Sequence, residues 1–208
     1  NPEVFEQAPI KIGDNTGTSI RIHFDLSGTP HEMHAVVLTR GVMVYRAHVQ
    51  ANMADIQRYA PIFSRAISNA ELGVPKSLTE AQERAATHPR SWQPAVDLGD
   101  ELYRVGRPID AVASYQKALA KVPDQARAWL GRLRTHTYYQ LPQGLEVARE
   151  ALSRTEPDAR VIVAAIDLLD SVGSNEEAIA ALDQAWTALP GNGIVRRARI
   201  QRGLPVEP

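Results

Sequence analysis

Between residues 92 and 192 the chain repeats itself. Three consecutive segments, residues 92–124, 125–158 and 159–192, overlay so that Ala118, Ala151 and Ala185 fall together at steps of 33 and 34 residues, and Pro123, Pro157 and Pro190 close the units. Gly106 and Gly173 stand at the middle of the first and third. A unit of this length cannot bury its own apolar side and must stack on its neighbours, so the period predicts a helical solenoid.

The local chemistry of each unit is that of a helix hairpin. Gly106 can take the left-handed conformation that ends one helix, and Pro108 has its φ already set for the first turn of the next. Ala111 and Ala118 are small where two helices cross, while Leu98, Leu102, Tyr115 and Leu119 fill the space between them. In the third unit Ser174 and Glu177 have the spacing of a capping box, and residues 190–193, Pro-Gly-Asn-Gly, end the second helix. The second unit replaces the glycine bend with Gln140-Leu141-Pro142-Gln143-Gly144, and its alignment slips by about one residue.

These residues resemble the tetratricopeptide repeat. Leu98-Gly99, Gly106, Ala111, Tyr115, Ala118 and Pro123 of the first unit fall at the family's signature positions, with Ala95 where a tryptophan is usual. The third keeps Gly173, Ala178, Ala185 and Pro190. A helix over residues 79–88, with Ser77 and Glu80 as its capping box and Pro89 as its stop, reads as a leading half-unit, and residues 194–202 as a polar capping helix.

The N-terminal part has a different period. In residues 19–26, Ser-Ile-Arg-Ile-His-Phe-Asp-Leu, the apolar side chains take every second place, as in a half-buried strand. Residues 27–30 supply turn chemistry, and two further strands, residues 33–39 and 42–49, are separated by Arg40-Gly41 as a hairpin turn. Asn52 can cap a helix with Asp55 in its first turn, and Ile56, Tyr59, Ala60, Phe63, Ala66 and Ile67 mark the face that should lie on the sheet. The stretch from this hairpin through the Arg58-Tyr59-Ala60-Pro61 helix with its late Phe63 resembles the end of the small α/β domains of photosystem II PsbP and Mog1. Comparable segments follow the catalytic domain in some bacterial secreted metallopeptidases. The resemblance implies that the upstream half of such a domain is cut away or reduced. The expected fold class is α+β, with a small antiparallel sheet and one packed helix over residues 1–74 and a solenoid of about three helix hairpins over residues 75–208; residues 73–77 form the linker.

His31-Glu32-Met33-His34 has the look of a zinc-peptidase helix, yet its histidines are three apart rather than four. On a strand, an odd separation sends His31 and His34 to opposite faces, so they cannot share an ion. Pairing about Arg40-Gly41 would set His48 opposite Met33 and near His31. A cluster of His23, His31 and His48 is then conceivable, but solvent-facing strand residues account for them more simply. His34, on the face of Val36, Leu38 and Tyr45, is expected to pack rather than to ligate. No metal and no cofactor is assigned.

Composition narrows the function. Lys plus Arg (23) nearly cancels Asp plus Glu (24), so no large net field is available to hold nucleic acid. There is no cysteine, which removes disulfides and thiolate chemistry, and no apolar run reaches the ~18 to 20 residues of a membrane span. Phosphate-cradling glycine loops and the Gly-x-Ser-x-Gly elbow are missing, and Asp167 with Asp170 has a spacing that capping and solvation explain. The chain begins at Asn1 rather than Met, so removal of a signal peptide or of a whole upstream domain is expected. A periplasmic or exported setting is expected over the cytoplasm.

The repeat resemblance therefore implies a noncatalytic module that binds a protein or peptide on the surface of its first helices. By the family's positions these present Gln93, Val96, Asp100, Tyr103 and Arg104 in the first unit, Trp129, Arg132 and His136 in the second, and Arg160, Val163, Asp167 and Asp170 in the third. Mixed signs among Asp100, Arg104, Arg132 and Asp167 argue against a simple basic clamp for a carboxylate. The alternative is the accessory or substrate-recognition region of a bacterial secreted zinc metallopeptidase whose catalytic domain lies outside this chain.

Overall fold

The computed structural model describes residues 2–13, 15–70, 72–154 and 158–206. The chain divides into two compact units, one of Asn1–Pro75 with Arg104–Gly106, the other of Lys76–Tyr103 and Arg107–Pro208.

The first unit is a four-stranded antiparallel meander, β1 (Glu3–Ile12), β2 (Asn15–Leu26), β3 (Thr29–Arg40) and β4 (Met43–Asn52), in the order β1-β2-β3-β4, followed by α1 (Ile56–Ser68). The β2–β3 turn is the two residues Ser27 and Gly28, both at positive φ (53° and 80°), as a tight hairpin matched to strand twist requires. Asp25 Oδ1 accepts from Gly28 N at 2.6 Å. The β3–β4 loop corrects the expected register. Arg40 pairs with Met43, so the loop is Gly41-Val42 with Gly41 at φ 59°, and His48 stands opposite Ala35 rather than Met33. The positive φ belongs at the first loop position, which glycine fills, and this shifts pairing by two residues while keeping each side chain on its expected face.

Ile12, Val36 and Leu38 form the apolar core, with Ile10, Tyr45, Phe63 and Ile67 packed against them. α1 thus covers one face of the sheet through Phe63 and Ile67. Tyr59, expected on this face, is 41% exposed. Asn52 ends β4 instead of capping the helix: its Oδ1 accepts from the amides of Ala54 (3.0 Å) and Asp55 (2.9 Å), and Asp55 takes the N-cap position without a side-chain bond. β1 is not marked in the sequence because the inward alternation is confined to its end, at Ala8, Ile10 and Ile12.

The second unit is a tetratricopeptide-like array of helices: α2 (Lys76–Thr87), α3 (Gln93–Arg104), α4 (Pro108–Leu119), α5 (Ala126–Tyr139), α6 (Gly144–Leu152), α7 (Ala159–Ser171), α8 (Asn175–Ala188) and α9 (Gly193–Gln201). α4 packs on α5, α6 on α7, and α5 on α7. The three hairpin bends are built alike. Arg107 N bonds Leu102 O (2.9 Å), Leu141 N bonds His136 O (3.2 Å) and Ser174 N bonds Leu169 O (2.9 Å). Before each donor stands a residue in the left-handed region, Gly106 (φ 76°), Gln140 (φ 50°) and Gly173 (φ 82°). Gln140 therefore does the work of the missing glycine, and the second repeat is in register with the others.

Two expected capping boxes do not form. α2 begins one residue before Ser77, whose hydroxyl donates to Glu101 Oε2 at 2.7 Å. Ser174 holds the N-cap position of α8 with no side-chain bond; the reciprocal half of the box is also missing, since the Glu177 carboxylate is engaged by Arg149 at 2.8 and 2.9 Å and the Ser174 amide bonds Leu169 O. Asn192 does cap α9, accepting from Ile194 N and Val195 N. Pro157, read as the close of the second unit, lies outside the described residues.

Candidate functional site

The first helices of the three pairs, α3, α5 and α7, line a groove of about 590 Å³. α3 contributes Asp100 and Tyr103, α5 contributes Arg127, Leu130, Gly131, Arg134, Thr137 and Tyr138, and α7 contributes Ala164 and Asp167.

Its charges are matched within the unit. Asp100 is the hub: Oδ1 accepts from Tyr115 Oη at 2.7 Å and lies 3.3 Å from Arg134, and Oδ2 accepts from Arg127 at 2.7 Å. Arg127 also meets Asp97 at 2.9 Å. At the α7 side Asp167 and Asp170 share Arg202, at 2.6 and 2.7 Å. Burial opposes the charge on Arg127 and Arg202, yet hydrogen bonds to these carboxylates carry both pKa values upward. Burial pushes the Tyr115 phenol far up, helped by the Asp100 charge, so it remains a donor at any working pH.

With the ions satisfied, aromatic surface remains. Tyr103, Tyr138 and Tyr139 meet edge to face, with ring centroids 4.9 to 5.8 Å apart, and the Arg134 guanidinium lies 4.3 Å over the Tyr103 ring. Tyr139 Oη donates to Tyr103 O at 2.7 Å, which fixes α5 to α3, and Tyr138 is left 55% exposed.

Of the residues the sequence nominated, Asp100, Tyr103 and Asp167 come together in this groove. Asp170 is tied beside Asp167 through Arg202. Gln93 and Arg104 are exposed on α3 but do not line the hollow. Arg160 is exposed, with its guanidinium on the N-cap carboxylate of Asp158 at 2.6 and 2.9 Å, and Val96 is fully buried. The second-unit residues are corrected. Trp129, Arg132 and His136 are only 4%, 8% and 3% exposed. Trp129 donates to Pro123 O at 2.8 Å beneath the guanidiniums of Arg132 (5.2 Å) and Arg154 (5.0 Å), in a separate hollow between α4, α5 and α6. Counting 34 residues on from Gln93, Val96, Asp100, Tyr103 and Arg104, the spacing from Gly106 to Gln140, gives Arg127, Leu130, Arg134, Thr137 and Tyr138, all of which line the groove.

The histidines of the sheet do not gather. His23 and His34 are on the α1 face, His31 and His48 on the other, so His23, His31 and His48 cannot share an ion. His34 packs on the face expected for it, but beside an unforeseen polar cluster. Glu32, 2% exposed, accepts from Arg21 Nε (2.9 Å) and Nη2 (2.7 Å), pairs with His23 at 3.2 Å and contacts His34. Burial drives the Glu32 carboxyl upward, but hydrogen bonds from Arg21, His34 and His23 outweigh it and hold the group below the ordinary carboxylate value.

No family model matches the chain, and no curated protein matches it. Among solved structures, the crystal structure of MamA is similar over 74% of this chain and 86% of that chain, at 17% identity and a TM-score of 0.44.

Proposed function

We propose that this chain is a noncatalytic protein-interaction module that takes a segment of a partner protein on the α3–α5–α7 groove. The observation that carries the reading is that Arg127 and Arg134 pair with Asp97 and Asp100, and Arg202 with Asp167, while Tyr138, Leu130 and Ala164 face the groove. Among the described residues a charged ligand terminus finds no unpaired counter-ion there, whereas an apolar or aromatic side chain finds an exposed aromatic wall that binding would desolvate, the kind of surface on which interface energy concentrates. On this reading the division of labour falls near residue 75: the repeat unit recognises, and the sheet unit, with its resemblance to PsbP and Mog1 domains, accompanies it.

The test is capture of partners by the full chain and by Leu130→Lys and Tyr138→Ala, two changes at the groove that leave the helix core untouched. Partners that bind wild type should be lost or weakened at least tenfold with helicity unchanged. Undiminished capture by both variants overturns the proposal.

A further inference from the structure

β2 alternates in the opposite sense from the side of the sheet that α1 covers. Towards α1 it presents Ser19, Arg21 and His23; away from α1 it presents Ile20, Ile22 and Phe24. These register beside Met33, Ala35 and Val37 of β3, through the pairs Ile20–Ala35 and Ile22–Met33 and the pair of Val37 with Thr18. An antiparallel sheet with one wet face ordinarily turns its polar residues to the water. Here the centre of the open face is wholly apolar, and among the described residues of this unit no helix lies on it.

Dimensions and charge say what fits. The apolar stripe is two strands wide, about 10 Å, which is the breadth of one α-helix. From Val37 to Phe24 it runs about 20 Å along the strands, the length of three to four helical turns. Its rims carry Val4, Gln7, Pro9 and Lys11 on β1 and Val44, Arg46, His48 and Gln50 on β4. No carboxylate of the strands stands on this face among the described residues, since Glu3, Glu6, Asp25 and Glu32 all fall on the α1 side. Two copies of the chain laid face to face would therefore oppose cations without a counter-charge, which disfavours self-association.

We propose that this face docks an amphipathic helix of a partner protein, three to four turns long, whose aliphatic stripe is flanked by Asp and Glu. The apolar stripe would cover Ile20, Ile22, Met33 and Val37, and the flanking acids would meet Lys11 and Arg46. The surface is separate from the groove of the helical unit and does not depend on the groove's role.

The full chain is titrated with a synthetic amphipathic helix of about 14 residues, a length set by the stripe, carrying leucine on one side and glutamate on both flanks, and with its lysine-flanked counterpart. The glutamate peptide is expected to bind saturably, at least tenfold tighter than the lysine peptide, and more weakly as salt is raised. Ile22→Lys and the milder Met33→Gln should each abolish or weaken binding with the sheet intact by circular dichroism. Lys11→Glu with Arg46→Glu should reverse the peptide preference, and Tyr138→Ala should leave it unchanged. Equal affinity for the two peptides, or binding indifferent to both Ile22→Lys and Met33→Gln, overturns the proposal. So does a concentration-dependent dimer that Ile22→Lys dissolves, or binding seen only with anionic lipid vesicles.

Discussion

The hydroxyl of Tyr115 on α4 reaches Asp100 on α3 across 2.7 Å, from a ring that lies in the gap left by two glycines. A Cβ on Gly99 would come within 2.6 Å of that ring, and one on Gly131 would fall inside contact distance of the same atoms. Tyr115 is completely buried, so the tyrosine of the second helix, the glycines of two successive first helices and the groove carboxylate form one joint. Gly131→Ala should gain about 1 kcal/mol in helix propensity and lose more by overpacking, for a net loss of about 1–2 kcal/mol. In a Tyr115→Leu background the same change should be neutral or stabilising, and chemical denaturation of the four proteins of the cycle measures the coupling.

Gln140 sits where glycine stands in the other two bends. An L side chain at φ 50° is strained by roughly 1 kcal/mol, less the extra chain entropy that glycine loses on folding. Gln140→Gly should therefore raise stability by about 0.5 kcal/mol, and Gln140→Val, branched at Cβ, should lower it by more than that gain. Thermal unfolding followed by helix signal reads both; a destabilising glycine would mean that the glutamine side chain does something the bend geometry does not account for.

The same position explains how much of the molecule was legible. The α+β order follows from the change of apolar period along the chain, and the hairpin pairs follow from a 33–34-residue repeat that glycine, alanine and proline announce; of the positions named on α3 and α7, Asp100, Tyr103 and Asp167 line the groove and Gln93, Arg104 and Arg160 do not. Gln140 hid the second bend, because left-handed backbone is a property of conformation that only glycine advertises in sequence. With that landmark gone the alignment of the second unit slips, and the residues it assigns to the groove, Trp129, Arg132 and His136, are buried. Glu32 was invisible for a related reason: its burial depends on Arg21 and His23 of β2 and on His34, a constellation set by strand register rather than by any spacing within one strand.

His136 predicts a pH dependence for the helical unit. It is 3% exposed, and among the described residues neither ring nitrogen has a hydrogen-bond partner of good geometry, the Leu141 backbone being the polar group that pulls its pKa the other way. Burial, reinforced by the neighbouring Arg132 charge, pushes its pKa down. Unfolded, the imidazole takes a proton near pH 6.5; folded, it stays neutral to lower pH. Between those two values the unfolded chain binds the extra proton, so stability is full above about pH 6.5 and falls as the pH drops below it. Denaturation midpoints measured between pH 7.5 and 5 should show this slope, and His136→Leu should flatten it.

Arg21 and Glu32 supply the corresponding test in the sheet unit. Their contact at 2.7 Å joins a side chain that is 33% exposed to one that is 2% exposed, so the desolvation burden falls on the glutamate. Arg21→Met leaves that carboxylate buried with only histidines beside it and should cost about 3 kcal/mol, the lower end for a broken buried pair because solvent reaches the arginine side. Arg21→Met with Glu32→Leu removes both the charge and its burial, and should recover most of the loss. Because hydrogen bonding holds the Glu32 pKa below its unfolded value, the wild-type contribution is present above about pH 4.3 and is lost as the pH falls through that value towards the folded one. The double variant should lack this acid-side loss, and sheet unfolding followed from pH 6 to 3 distinguishes a specific ion cluster from general charge repulsion, which would destabilise both proteins alike.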